Sequence, residues 1–263
     1  MQCAANWQRY DVAWEGTFNK DQRCRSRYQA RNNAQVAEYA MLTGIKAVIV
    51  DLDGTMLDTA PDFQVAINRM RADFDLAPLP LQTVSNFVGK GSENLIRRVL
   101  GVDFSAEQVE AHFDAALAAY QRHYLAINGH FATLYPDVME GLQAMRAMGL
   151  RLACVTNKPI AFALPLMKTT GLSAFFELTY GGDSFPRKKP DPMPFLEVFR
   201  EFQCVPAQVV AIGDSSNDAL AARAAGCRVL SVPYGYNHGE PIQNVDSDGI
   251  VPTLLSAAHY ISL

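Results

Sequence analysis

The sequence predicts an α/β fold, a doubly wound parallel sheet interrupted once by an inserted helical segment, and three observations predict it. Residues 45 to 55, Ile-Lys-Ala-Val-Ile-Val-Asp-Leu-Asp-Gly-Thr, run as a short β-branched apolar stretch that stops at two carboxylates. A strand buried on both faces of a parallel sheet reads this way. From Tyr135 onward, short apolar runs alternate with segments of helical period, the rhythm of βαβ units. Between these regions nothing resembles a strand of any length.

The first strand is expected over Ile45 to Val50. Asp51 and Asp53 then stand at its carboxyl end, the edge of an open α/β sheet outside which ligands bind. Asp-Gly is also a hairpin signal, but a helix follows rather than a second strand. Asp58-Thr59-Ala60-Pro61-Asp62 puts Pro61 near a first helical position, with Phe63, Ala66, Ile67 and Met70 behind it at helical spacing. Helical character holds to about residue 132, and Val109, Phe113, Leu117, Tyr120 and Tyr124 form an amphipathic stripe. So long a helical stretch exceeds an ordinary crossover. Residues 61–132 are therefore expected to be a helical cap inserted into a catalytic core of residues 41–60 and 133–263.

Within the core, a helix carrying Val138, Leu142, Met145 and Met148 stops at Gly149. Strand Arg151 to Val155 follows, then a helix opening at Asn157 to Pro159, with Pro165 as a kink point. Strand Leu178 to Tyr180, helix Pro192 to Phe202 and strand Gln208 to Ile212 come next. A helix from Asn217 to Ala225 closed by Gly226, strand Arg228 to Val232 and helix Thr253 to Tyr260 complete the alternation.

A chain of 263 residues that is 49% apolar can bury one large core or two unequal ones. The net charge of −4 argues against a nucleic-acid partner. Five cysteines, odd in number and without a C-x-x-C pair, suggest neither a disulfide framework nor a zinc site and suit a reducing cytoplasm. No apolar run is long enough to span a membrane, and no secretory signal is evident. A soluble, cytoplasmic monomer or homodimer acting on a small molecule is the expectation. Residues 1–40 hold Trp7, Trp14 and four arginines from Arg23 to Arg31 without a sustained period, and read as a poorly ordered extension. Met41, just before the first strand, is a candidate native start, residues 1–40 then being upstream readthrough or an artefact.

The polar residues at the strand ends define the chemistry. Asp51-x-Asp53-Gly54-Thr55 ends the first strand, Thr156-Asn157-Lys158 the second, and Gly213-Asp214-Ser215-Ser216-Asn217-Asp218 the fourth, with Arg187-Lys188-Lys189-Pro190-Asp191 between them. Acids, a hydroxyl and a lysine on one sheet edge suit magnesium-dependent phosphoryl transfer, since magnesium takes one or two carboxylates together with water and phosphate oxygens. A carboxylate approaching a phosphate dianion is repelled, so cations must neutralise both. Asp51 is the expected nucleophile, forming an aspartyl-phosphate, and Asp53 the expected proton donor and acceptor. Thr156 and Asn157 are candidate phosphate ligands. Lys189 is preferred to Lys188 as the phosphate cation. Asp51, Asp53 and Asp214 are candidate metal ligands, with Asp218 a ligand or a support behind one. Asp183 is a candidate for positioning Lys189.

These four stretches, in this order, resemble the motifs of the haloacid dehalogenase superfamily of aspartate-nucleophile phosphatases, over residues 45 to about 260. The resemblance implies a Rossmann-like core, a helical cap after the first motif, and magnesium held by the nucleophile, the backbone carbonyl of Asp53 and Asp214. Asp58-Thr-Ala-Pro-Asp, Phe87-Val-Gly-Lys-Gly, Gly181-Gly-Asp-Ser and Tyr234-Gly-Tyr-Asn-His-Gly further resemble the bacterial phosphoglycolate phosphatases within it. That resemblance implies a small phosphate ester bearing a carboxylate, for which Lys90 is a candidate cap cation. The rival functions are a sugar-phosphate mutase on the same fold and a non-catalytic metal- or phosphate-binding regulatory module.

Overall fold

The computed structural model describes residues 42–261; the expected extension over residues 1–40 and the proposed start at Met41 lie outside the described residues. A six-stranded sheet has β1 (Ala47–Val50) at its centre, paired in parallel with β4 (Arg151–Val155) on one side and β6 (Val209–Gly213) on the other. Beyond β4 lies β5 (Leu178–Tyr180), and beyond β6 lie β7 (Arg228–Ser231) and β8 (Gly249–Ile250), all parallel. The doubly wound α/β expectation is met. All four β1 residues are buried, which explains why the run is continuously apolar rather than alternating.

The pleat sends alternate residues to opposite faces. Ala47, Ile49, Ala153, Val155 and Ala211 meet Phe195, Phe199 and Phe202 of α7 (Met193–Phe202) and Ala219, Ala222 and Ala225 of α8 (Ser216–Ala225). On α8 the alanines let the helix approach the strands. Gly226, at φ +80°, ends it. Helices α5 (Val138–Ala147) and α9 (Leu254–Tyr260) pack together, with Gly141 tight against the backbone of Leu254. Pro165 lies inside α6 (Ile160–Thr169), which continues through it.

Between residues 59 and 132 run four helices: α1 (Ala60–Asp73), α2 (Leu81–Phe87), α3 (Ser92–Leu100) and α4 (Ala106–Ile127). Their shared core includes Phe63, Ile67, Met70, Val84, Ile96, Val99, Phe113 and Tyr120. A reciprocal capping box fixes the start of α4: the Gln108 amide donates to Ser105 Oγ at 3.4 Å and the Ser105 amide to Gln108 Oε1 at 3.0 Å. Arg71, buried in this core, donates to the carbonyls of Ala77 and Val99 and pairs with Asp103 at 2.8 Å.

A two-stranded antiparallel ribbon joins the chain's exit into these helices to its return. Its strands are β2 (Leu57–Asp58) and β3 (Thr133–Leu134). Two residues per strand leave no periodicity to read, so neither it nor β8 was legible as a strand. The same crossing is tied by Asp62 in the first turn of α1. Its buried carboxylate accepts hydrogen bonds from the amides of Gly129 and Phe131, each at 2.7 Å. Asp62 is thus a structural clasp as well as an acid suited to a helix N-terminus. Asp62→Ala strands two amide donors and is expected to lower unfolding free energy by about 2–3 kcal/mol. Urea denaturation should show a lower midpoint at unchanged slope, and an unshifted midpoint would contradict the clasp.

Candidate active site

Asp51 leaves β1 with its amide donating to the Ile212 carbonyl at 3.0 Å, so the sheet ladder itself sets its position. The chain then turns sharply. Gly54, at φ +87°, allows that turn, and a Cβ there would collide with the Asp214 carboxylate. Asp214 follows β6 and is buried. Its Oδ1 accepts from Thr55 Oγ at 2.9 Å and its Oδ2 from the Tyr236 amide at 2.5 Å.

The buried Lys189 ammonium reaches Asp51 Oδ1 at 2.8 Å, Asp218 Oδ1 at 2.6 Å and the Val155 carbonyl at 2.6 Å. Lys188 instead lies by the Gly91 backbone, so the structure brings Lys189, not Lys188, to the acids. Asp218 Oδ2 accepts from the amide and hydroxyl of Ser215 at 3.2 and 2.8 Å. Both Asp218 oxygens are therefore engaged within the protein. Asp183 accepts from the Ile160 amide at 2.8 Å and so fastens the start of α6; it is not among the partners of Lys189.

Asp53 faces the helical segment. Its Oδ1 accepts from Thr59 Oγ at 2.8 Å and from Lys158 Nζ at 3.1 Å. Lys158 also donates to the Tyr124 hydroxyl of α4 at 2.5 Å. Asp51, Asp53, Thr156, Asn157 and Lys158 line one cavity whose opposite wall is Phe63, Val88, Leu95, Tyr120, Tyr124 and Phe162. It encloses about 440 Å³ of space, part of it open to solvent. The Asn157 side-chain nitrogen is engaged by the carbonyls of Gly89 and Lys189, at 3.0 and 2.9 Å. Lys90 is exposed and does not line the cavity.

Sequence reasoning gave no role to Lys158, Thr55, Thr59 or Tyr236. Lys158, Thr55 and Thr59 lie inside stretches already singled out, whereas Tyr124 was legible as an aromatic of an amphipathic stripe with a part in shaping the closed site. Tyr236, whose hydroxyl bonds to Asp58 and accepts from the Ala60 amide at 3.0 Å, lies in the Tyr234-Gly-Tyr-Asn-His-Gly stretch singled out above, where nothing local pointed to these partners.

Burial pushes Asp51 up from 3.8 to about 7; Lys189 opposes the rise and Asp218 adds to it. Burial also raises Asp214 well above the usual carboxyl range, reinforced by Asp51 and Asp218. Lys189 is pushed down by burial but held up by Asp218 and Asp51, which outweigh it. Asp51, Asp214 and Asp218 bring carboxylate oxygens within 4.8 Å of one another. Three buried acids against one ammonium form an under-neutralised oxygen cluster, and a hard divalent cation fits that donor set.

Comparison with known proteins places these features in a family. The model of haloacid dehalogenase-like hydrolases matches residues 45–226. A phosphoglycolate phosphatase of Thiobacillus denitrificans is 48% identical over 214 residues, 81% of this chain and 94% of its own. A plasmid-borne phosphoglycolate phosphatase of Cupriavidus necator is 46% identical over 218 residues, 81% of this chain and 94% of its own. Among solved structures, a predicted phosphoglycolate phosphatase from Haemophilus somnus superposes with a TM-score of 0.78 at 32% identity, covering 83% of this chain and 98% of its own.

The raised Asp51 has a consequence for stability. Between 3.8 and about 7, the folded metal-free protein holds a proton there that the unfolded chain has released. Stability from this group therefore falls as pH rises through that window. The melting temperature of metal-free wild type, relative to Asp51→Asn, is expected to drop between about pH 4 and pH 7, and added divalent cation should reverse the drop at the upper end. A wild-type-minus-variant difference that is flat or rising would contradict this placement of the proton.

Proposed function

The chain belongs to the haloacid dehalogenase-like hydrolase family, and on that premise we propose that it is a magnesium-dependent phosphomonoester hydrolase that converts phosphoglycolate to glycolate and phosphate. The observation that carries the reading is the pairing of Asp51 and Asp53 on one cavity, with different partners: Lys189 at Asp51, Thr59 and Lys158 at Asp53. The substrate is taken from relatives that are 48% and 46% identical to this chain over 81% of its length.

In this proposal Asp51 attacks phosphorus, the ester P–O bond breaks, and Asp53 gives its proton to the departing glycolate oxygen. Water then attacks the aspartyl-phosphate while Asp53 takes back a proton, and the bond between phosphorus and Asp51 breaks to release phosphate. Lys189 offsets charge on the nucleophile, and the Thr156 hydroxyl and the Asn157 backbone amide, whose side-chain hydrogens go to the Gly89 and Lys189 carbonyls, hold phosphoryl oxygens. Magnesium would be held by Asp51, the Asp53 backbone carbonyl and Asp214, and would supply neutralising charge to acid and phosphate alike. With Lys189 and Ser215 on its two oxygens, Asp218 acts behind Asp214 rather than as a ligand.

The helical segment of residues 61–132 is proposed as a cap that closes over the core and excludes bulk water. Residues 58–61 and 129–135 are its hinges, beside the β2–β3 ribbon. A cytoplasmic setting is part of the same reading. Among the described residues Cys154, Cys204 and Cys227 are free, and no helix is long and apolar enough to cross a membrane.

Phosphate release from a panel of small phosphate esters, with and without magnesium, tests the reading directly. Asp51→Asn is expected to abolish turnover while the fold is retained. Asp53→Asn should lower kcat by roughly 10²–10⁴-fold, the usual contribution of a positioned acid–base group, with metal binding largely kept. Full turnover by Asp51→Asn would remove the nucleophile, and isomerised sugar phosphate without phosphate release would favour a mutase.

A further inference from the structure

The reaction chemistry above uses Asp51, Asp53 and Lys189 but leaves Lys158 without a task beyond its contacts. Lysine is rarely buried, and its ammonium is costly to bury without partners. Here the side chain is 2% exposed. Asp53 Oδ1 and Oδ2 lie 3.1 and 3.4 Å from the nitrogen and the Tyr124 hydroxyl 2.5 Å from it. The faces of Phe63 and Tyr124 stand 4.5 and 4.7 Å away, centroid to nitrogen. One carboxylate and one hydroxyl engage two of the three ammonium hydrogens, and a third remains for a ligand.

Among the described residues that line the cavity, Lys158 is the single one with a cationic side chain, Lys188 lying by the Gly91 backbone outside that lining. Lys189 lies behind Asp51, and Lys90 is exposed and outside the lining. The wall opposite the acids is aromatic and aliphatic and carries no cation, its tyrosines offering an anion at most a hydroxyl. Gly91 and Ser92, at the N-terminal end of α3, share the cavity, and the helix end adds partial positive charge there.

We propose that Lys158 is the specificity-determining residue of this site, its ammonium receiving the carboxylate that a substrate carries beyond its phosphate ester. This rests on the hydrolase reading of the site. A neutral ester would leave the ammonium paired only with Asp53 and Tyr124, whereas a carboxylate-bearing ester adds a charge-assisted hydrogen bond in a water-poor cavity. The cation would also sit where Asp53 meets the leaving oxygen, so ester and carboxylate must be close together. That geometry selects short phosphorylated hydroxy acids over long or sugar-like esters.

The test compares kcat/KM for phosphoglycolate, phospholactate, ethyl phosphate and hydroxyethyl phosphate in wild type, Lys158→Met and Lys158→Gln. Wild type is expected to prefer the two carboxylate esters. Both variants should lose roughly 10- to 100-fold on those esters beyond any loss on the neutral pair, collapsing the preference. An equal loss on all four esters would reduce Lys158 to a support for Asp53, and no preference in wild type would overturn the inference outright. A preference for phospholactate over phosphoglycolate would displace the substrate proposed above while leaving Lys158 its role. Should no ester be turned over, the hydrolase proposal fails, and ligand-induced melting shifts in Asp51→Asn decide the matter. A larger shift with phosphoglycolate than with ethyl phosphate, lost on adding Lys158→Met, supports the inference; equal shifts overturn it.

Discussion

The contact on which the rest of the site depends is the buried Lys189 ammonium, which donates to the Val155 carbonyl and Asp218 and ion-pairs with Asp51. Asp51 follows β1, Val155 ends β4, and Asp218 lies in the first turn of α8 behind β6. One nitrogen therefore gathers the carboxyl ends of the three central strands. An ammonium buried without those acceptors would be strongly unfavourable, and the acids would repel one another without the ammonium. Each half of the arrangement makes the other tolerable, and their mutual position is fixed as a result. The Ser215 capping contacts on the second oxygen of Asp218 extend the same constraint into α8.

A second set of contacts determines how the helical segment meets that scaffold. The Gly89 carbonyl, in the loop between α2 and α3, accepts from the side-chain amides of both Asn157 and Asn217 at 3.0 and 3.1 Å. Those asparagines follow different strands, so the loop is held against the sheet edge at two points. Lys158 bridges Asp53 on the core to Tyr124 on α4, and the Tyr236 hydroxyl spans from the loop after β7 to Asp58 and Ala60. Each of these bonds joins a core loop to the helical segment or its approach, and Phe162 of α6 adds an apolar contact by packing against Phe63 and Tyr124. The polar groups of the interface can be hydrated when it opens, whereas separating Phe162 from its neighbours exposes apolar surface.

The fold and the placement of the acids at the sheet edge were legible in the sequence because both are local. A four-residue apolar strand followed by Asp51-x-Asp53, or Gly213-Asp214 after Val209 to Ile212, places its acid at the sheet edge by strand direction alone. The choice of Lys189 over Lys188 rested on its place before Pro190, and the structure puts its nitrogen 2.8 Å from Asp51. What was not legible depends on contacts between distant segments. β2 and β3 are strands only because they meet each other. Lys158 was visible as part of Thr156-Asn157-Lys158, yet its burial is decided by Phe63 and Tyr124, which sequence shows only as members of helical stripes. Lys90 drew attention as a cap lysine, but the loop that carries it turns its side chain to solvent.

The distribution of charge links these layers. Asp51, Asp214 and Asp218 cluster around Lys189, whereas Asp53 is turned away from them toward Thr59 and Lys158. Two carboxylates separated by one leucine therefore sit in different electrostatic surroundings. One belongs to an acid-rich cluster whose excess negative charge invites a divalent cation; the other is paired with an ammonium at the border of an apolar wall. Carboxylates with different neighbours are suited to different work, one to bonding phosphorus and the other to moving protons. The sequence spacing puts both acids on the cavity, and contacts made from three other parts of the chain set them apart.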